Sequence, residues 1–132
     1  NVILFLYMIH ILYIGLGGFI GAVSRYLLSR YISNLLPSFP FGTLTVNVLG
    51  SFILGFIMYS ITAGRNISPE LREFITIGII GGFTTMSAFA YESFRLAELN
   101  QFMLFALNIA LNIILGIGAI YAGKALASYI TG

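Results

Sequence analysis

Four long stretches of this chain carry no charge. Residues 1–24, 31–64, 74–91 and 99–123 contain no Asp, Glu, Lys or Arg. About 20 apolar residues in a helix cross the roughly 30 Å hydrocarbon core of a bilayer. Only 8% of the 132 residues are charged, and mean hydropathy is +1.02. A soluble domain carries about 25% charged residues, and one this small has too little interior to hide so much apolar surface. The expected fold is therefore an all-α membrane protein. Its single domain, 1–132, has four spans at about 3–24, 42–62, 72–93 and 101–124.

Breakers separate the spans. Ser33–Phe41 holds Asn34, Pro37 and Pro40 and reads as a loop. Ala63–Pro69 is a second loop, with Ser68 as N-cap and Pro69 at the first helical position. Glu70 and Glu73 in the first turn suit the helix dipole. Ala97–Gln101 is a short third turn. The apolar N-terminus lacks the basic flank and clean cleavage site of a signal peptide, so it reads as the first span. The chain opens on Asn1 rather than Met, and its native start is expected to lie elsewhere.

Several chemistries are excluded. Without cysteine there is no disulfide and no thiolate metal site. Without aspartate no Ser-His-Asp triad exists, and His10 is the only histidine. It has no evident partner in sequence and is assigned a structural role. The six basic residues are scattered and offer no nucleic-acid patch.

The same six residues bear on topology. Four spans put both termini on one face. Arg25, Arg30 and Arg95 then lie on the opposite face, and Arg65, Arg72 and Lys124 on the terminal face. The count is 3 against 3, so the positive-inside rule prefers neither orientation. A chain without bias is expected to insert both ways, and opposed copies can pair about a twofold axis in the membrane plane. Small residues at helical spacing (Gly17 and Gly21, Gly78 and Gly82, Ser51 and Gly55) favour tight helix association, within a subunit or between subunits.

The third span is unusual at its centre. Gly81-Gly82-Phe83-Thr84-Thr85-Met86-Ser87 combines two glycines, two threonines and a serine, all weak helix formers. A broken helix is expected. Irregular backbone at membrane depth persists where protein buries it or where it lines a polar cavity. Carbonyls released at such a break suit a hard cation such as sodium.

Polar side chains inside the spans are few. Asn47 offers two amide donors, which suit an anion or a neighbouring helix equally well. Asn108 and Asn112 share one face of span 4 at i and i+4, as Thr43 and Asn47 do in span 2. Each pair reads either as a polar track or as interhelical bonding. Phe89, just after the break, has a ring edge of partial positive charge that can touch an anion, although most such rings face lipid or other helices. Arg25 reads as an interfacial anchor or as a source of positive potential in an anion vestibule. Glu92 reads as interfacial or as a polar partner near the end of span 3.

Three motifs taken together resemble a known family. Gly17-Gly18-Phe19-Ile20-Gly21-Ala22-Val23-Ser24-Arg25-Tyr26 is similar to GGxxGAxxRY. Phe39-Pro40-Phe41-Gly42-Thr43-Leu44-Thr45-Val46-Asn47, continuing to Phe52, is similar to FPxGTLxVNxxGxF. Gly81 to Glu92 is similar to GxxTTFSTFxxE. These are signatures of the Fluc (CrcB) fluoride channels, and the resemblance covers the whole four-span chain. It implies an antiparallel dual-topology homodimer, in keeping with the charge count, with two fluoride pores lined by both subunits. It also implies a structural sodium ion (Na+) at the dimer centre, on the backbone carbonyls of Gly81 and Thr84. By the same resemblance the pore amide is Asn47, the two pore phenylalanine positions are Met86 and Phe89, and the polar track is the face holding Asn108 and Asn112; Thr43 and Ser87 are expected beside them in the pore, and Arg25 at a vestibule.

Two departures stand out. Position 86 is Met where the family motif has Phe, which replaces a ring edge by a flexible thioether. Both track positions in span 4 are Asn rather than hydroxyl residues. The function implied is passive, fluoride-selective export from the bacterial cytoplasm through the inner membrane. The alternative is a small dual-topology, proton-coupled exporter of cationic drugs. That alternative needs a carboxylate within the membrane, whereas all four glutamates fall at or near span ends.

Overall fold

The computed structural model describes residues 1–132 and is entirely helical. Helix α1 runs over Val2–Leu35 and α2 over Phe41–Thr62. The third span, Pro69–Glu98, is made of four pieces. These are α3 (Pro69–Glu73), a π-helical segment (Phe74–Ile80), α4 (Gly81–Phe83) and, beyond a break, α5 (Met86–Glu98). Helix α6 covers Phe102–Thr131. All four spans have the length and hydropathy to cross a membrane.

Helices begin and end where local chemistry allows. α1 runs past Ser33 and Asn34, both expected in a loop, because nothing stops it before Pro37. Leu36 then leaves helical geometry at φ −131° and ψ 72°, as the residue before a proline tends to do. The Ser68 hydroxyl caps α3 by accepting from the Leu71 N–H at 3.2 Å, with Pro69 at the first helical position. Asn100 turns the chain between α5 and α6 at φ 58°, a left-handed geometry that Asn tolerates.

The helices pack as two close pairs, α2 with α6 and α1 with the first half of the third span. The second pair brings the two GxxxG stretches face to face inside one subunit. A Cβ on Gly78 would lie 2.8 Å from the Gly17 Cα, and one on Gly82 would lie 2.7 Å from the Gly18 carbonyl oxygen. Gly55 and Gly123 play the same part between α2 and α6. Small residues let backbones meet where lipid supplies no hydrophobic drive.

The third-span break lies at Thr84 and Thr85, both extended. The glycines expected to cause it are themselves helical. Gly82 has no side chain because α1 lies too close for one, so its role is packing rather than flexibility. Only 17 of the 132 residues are buried, and large apolar side chains cover the outside of α1 and α6, as lipid-facing helices require.

Candidate channel site

Asn47 projects from α2 at the level of the break. The Thr85 N–H donates to Asn47 Oδ1 at 2.8 Å, and Asn47 Nδ2 donates to the Thr85 carbonyl at 3.2 Å. One side-chain amide thereby supplies both partners that Thr85 lost when the helix broke. An unpaired amide in an apolar medium costs about 4–8 kcal/mol, so this pairing makes the break tolerable at membrane depth.

Two carbonyls lose their helical donors in the same place. The Thr85 N–H, which would bond Gly81 in a continuous helix, goes to Asn47. The Ala88 N–H, which would bond Thr84, goes to the Thr85 hydroxyl at 3.2 Å. The Gly81 and Thr84 oxygens are left outside the ladder. They are hard donors of the kind that a small cation takes.

A line of hydrogen bonds leads away from the break. Asn47 Nδ2 donates to Asn112 Oδ1 at 3.0 Å. Asn112 Nδ2 donates to the Asn108 carbonyl and to Asn108 Oδ1, at 2.9 and 3.1 Å. Asn108 Nδ2 donates to Ser93 Oγ at 2.9 Å, and the Ser93 hydroxyl donates to the Phe89 carbonyl at 2.7 Å. Beside this line the buried Thr43 hydroxyl donates to Glu92 Oε1 at 2.7 Å. Glu92 is half-buried and sits inside α5, which continues six residues further to Glu98, so it is more internal than its sequence position indicated.

One open cavity borders the line and a second lies beside Glu92. One, of about 370 Å³, is lined by Asn47, Thr84, Thr85, Met86, Phe89 and Asn112. The other, of about 460 Å³, is lined by Glu92, Arg95 and Gln101 together with the Phe39–Pro40 turn. Met86 is 74% exposed at the mouth of the first.

Five of the seven expected pore residues thus meet at one site: Asn47, Met86, Phe89, Asn112 and, along the line, Asn108. Asn108 is only 1% exposed, however, and bonds between helices. Thr43 turns to Glu92 rather than to Asn47. Ser87 is exposed and lines neither cavity. Arg25 is half-exposed, forms no ion pair and lines neither cavity. Thr85 and Ser93 were not singled out in sequence. Thr85 carried a legible signal, an N-cap residue just before the α5 run, whereas Ser93 carried none. His10, assigned no partner, pairs with Glu73.

Comparison with known proteins places this geometry. Residues 12–124 match the model of the family described as CrcB-like protein, Camphor Resistance (CrcB). The chain is 48% identical to "Fluoride-specific ion channel FluC 1" of Methanosarcina acetivorans over 129 residues, covering 95% of this chain and 98% of the relative. It is 48% identical to "Fluoride-specific ion channel FluC" of Methanococcus maripaludis over 120 residues, 89% of this chain and 94% of the relative. It is 44% identical over 114 residues to the protein of the same name from Campylobacter jejuni, strain 81-176, covering 86% and 93%. These relatives are named as channels, not enzymes. With four helices fit to span a bilayer, a polar line at the third-span break and this similarity over nearly its whole length, the chain is a multi-pass membrane protein of the CrcB family.

Proposed function

We propose that residues 1–132 form one half of a passive fluoride channel, an antiparallel dual-topology homodimer in the cytoplasmic (inner) membrane that lets fluoride leave the cell. The observation that carries this reading is the line Asn47–Asn112–Asn108–Ser93, which runs from the third-span break and the cavity there to Ser93, next in sequence to Glu92 of the second cavity. The relatives' name supplies the ion.

The hydrogen bonds suggest how the ion moves. Both hydrogens of Asn47 Nδ2 are engaged, by the Thr85 carbonyl and by Asn112 Oδ1. Fluoride entering from the Met86–Phe89 cavity replaces one of these acceptors. The Asn112 and Asn108 amides and the Ser93 hydroxyl are the next donors along the line. Close donors in a narrow passage favour the smallest halide, and exchangeable bonds let it go again. No energy source is required. Fluoride enters cells as neutral HF and dissociates there, so an open anion path suffices.

The carbonyls of Gly81 and Thr84 suit a sodium ion, two from each copy of the pair. Bound there, it would supply positive charge between the two breaks. Arg25, which lines neither cavity of the single chain, would add positive potential at a vestibule formed by the pair.

A proton-coupled cation exporter is the second reading, favoured by the half-buried carboxylate of Glu92. Liposomes containing only the purified protein separate the two. Fluoride efflux with no proton gradient, and chloride efflux at least about 100-fold slower, is expected from a site that discriminates by about 2.7 kcal/mol. Equal efflux of both halides, or no fluoride efflux, overturns the proposal.

A further inference from the structure

A second cluster of titratable side chains lies away from the polar line. His10 of α1 pairs through Nδ1 with Glu73, and its Nε2 lies 3.8 Å from Glu70. Both glutamates belong to α3, and Glu73 is the last residue before the π-helical segment Phe74–Ile80. All three side chains are about a third exposed. The carboxylates that face the imidazole are those of Glu73 and Glu70. Arg72, between them in sequence, lines a cavity toward α2 with Leu54 and Met58, and Glu73 borders the same cavity. On α1 itself, Tyr7 shares a shallow cavity with His10, and the Tyr13 ring packs edge-on against Phe74.

We propose that His10 is a positioning residue for conduction: by clamping α3 to α1 it holds the π segment in register, and through that segment it sets the third-span break. The inference rests on the reading of the chain as a fluoride channel.

The argument is geometric. A π segment holds its hydrogen bonds one residue wider than an α-helix. Reverting to α shifts everything upstream by one residue, a rotation of about 100° around the axis. Two contacts oppose that rotation. Gly78 sits against Gly17 within the segment, and His10 grips Glu73 at its start. Downstream, the segment runs through α4 into Thr84 and Thr85, where the Asn47 pairing requires one particular register. Without the clamp, only Gly78 against Gly17 opposes the turn, and the break loses part of its fixed entry.

The clamp depends on protonation. An imidazolium attracts both carboxylates, whereas a neutral imidazole bonds only one and leaves two like charges at i and i+3. Histidine changes charge between about pH 5 and 8. The clamp is therefore complete at the acid end and weakens as pH rises. In an antiparallel pair, one clamp faces each side of the membrane.

The test compares the wild-type dimer with His10→Lys and His10→Leu in liposomes at equal pH on both sides, with protein-free liposomes subtracted. Wild-type fluoride flux is expected to fall at least about fivefold from pH 5.5 to 8, the lower bound of a typical coupling between sites. His10→Lys should stay near the acid level across the range, and His10→Leu should stay low. A flat wild-type profile, or a His10→Leu flux equal to the wild-type acid level, overturns the proposal. Hydrogen exchange provides a readout independent of fluoride. At pH 5.5 the amides of Phe74–Ile80 should exchange faster in His10→Leu than in wild type, and equal protection overturns the clamp. A wild-type protein that conducts no fluoride at any pH yet shows this protection difference defeats the channel reading and leaves the clamp standing.

Discussion

Asn47 pairs with both main-chain groups of Thr85, taking its N–H at 2.8 Å and giving to its carbonyl at 3.2 Å. The same amide then reaches Asn112 at 3.0 Å. The interhelical bonding expected as one alternative for Asn47 is therefore present, and the proposed pore role adds to it. Asn47 holds the break together, and it lines the cavity beside Met86 and Phe89 while both its donors are engaged by Thr85 and Asn112.

Two substitutions at position 47 separate these roles. Asn47→Ala strands both polar groups of Thr85, and fold stability should drop by about 1–3 kcal/mol along with fluoride flux. Asn47→Asp keeps an acceptor for the Thr85 N–H but removes both donors. With the Thr85 carbonyl and Asn112 Oδ1 left facing a carboxylate, it should lose the flux and part of the stability as well, as thermal unfolding in detergent and liposome efflux would report. Normal flux in either variant would remove Asn47 from the ion path.

Position 86 should respond to a ring. Met86 is 74% exposed at the cavity mouth, so Phe fits without overpacking. Its edge places partial positive charge where the ion enters. Single-channel currents should be larger for Met86→Phe than for the parent, and smaller for Phe89→Met. A Met86→Phe current at or below the parent's would show that a ring edge is not what this mouth lacks.

Dual topology predicts a coexpression effect. Leu99 and Gln101 are exposed in the α5–α6 turn, so Leu99→Lys with Gln101→Lys should fix one orientation while sparing the left-handed Asn100. Flux should fall in that variant and return when a copy biased the other way is coexpressed. Full flux from a uniformly oriented population would refute antiparallel pairing.

Glycines on the two sides of α1's contact with the third span should differ sharply from those facing out. Gly78→Ala puts a Cβ 2.8 Å from the Gly17 backbone and should cost about 1–3 kcal/mol of stability by overpacking. Gly118→Ala meets nothing within 4 Å and should be neutral or stabilising by up to about 1 kcal/mol, since alanine is the better helix former. Melting temperatures of the two variants give the comparison.

Sodium should stabilise the dimer. If the Gly81 and Thr84 carbonyls hold Na+, then exchange into a large organic cation should lower the melting temperature. At 100 times the dissociation constant the ion contributes about 2.7 kcal/mol. A melting temperature indifferent to sodium would leave those carbonyls without a cation.

Much of the architecture was legible in sequence because bilayer physics is coarse. Charge-free runs of sufficient length leave the backbone little choice but helix, and Ser68-Pro69 marks a helix start by capping chemistry alone. A weak point in the third span was legible for the same kind of reason, although its cause was not. Gly81 and Gly82 are poor helix formers in isolation, yet both are helical, and α1 packs close alongside Gly82. Propensity is a local quantity, and a neighbouring backbone overrides it.

What the sequence by itself determined was the set of polar residues and the faces they share. The i and i+4 spacing of Asn108 and Asn112, and of Thr43 and Asn47, follows from helix geometry alone. Only the tertiary structure decided which partners they take. Thr43 goes to Glu92, Asn47 to Thr85 and Asn112, Asn108 to Ser93, and His10 to Glu73 across 63 positions. A hydrogen bond between helices depends on how two surfaces meet in rotation and depth. Those are set by backbone contacts such as Gly17 against Gly78, and the sequence of either helix alone does not specify them.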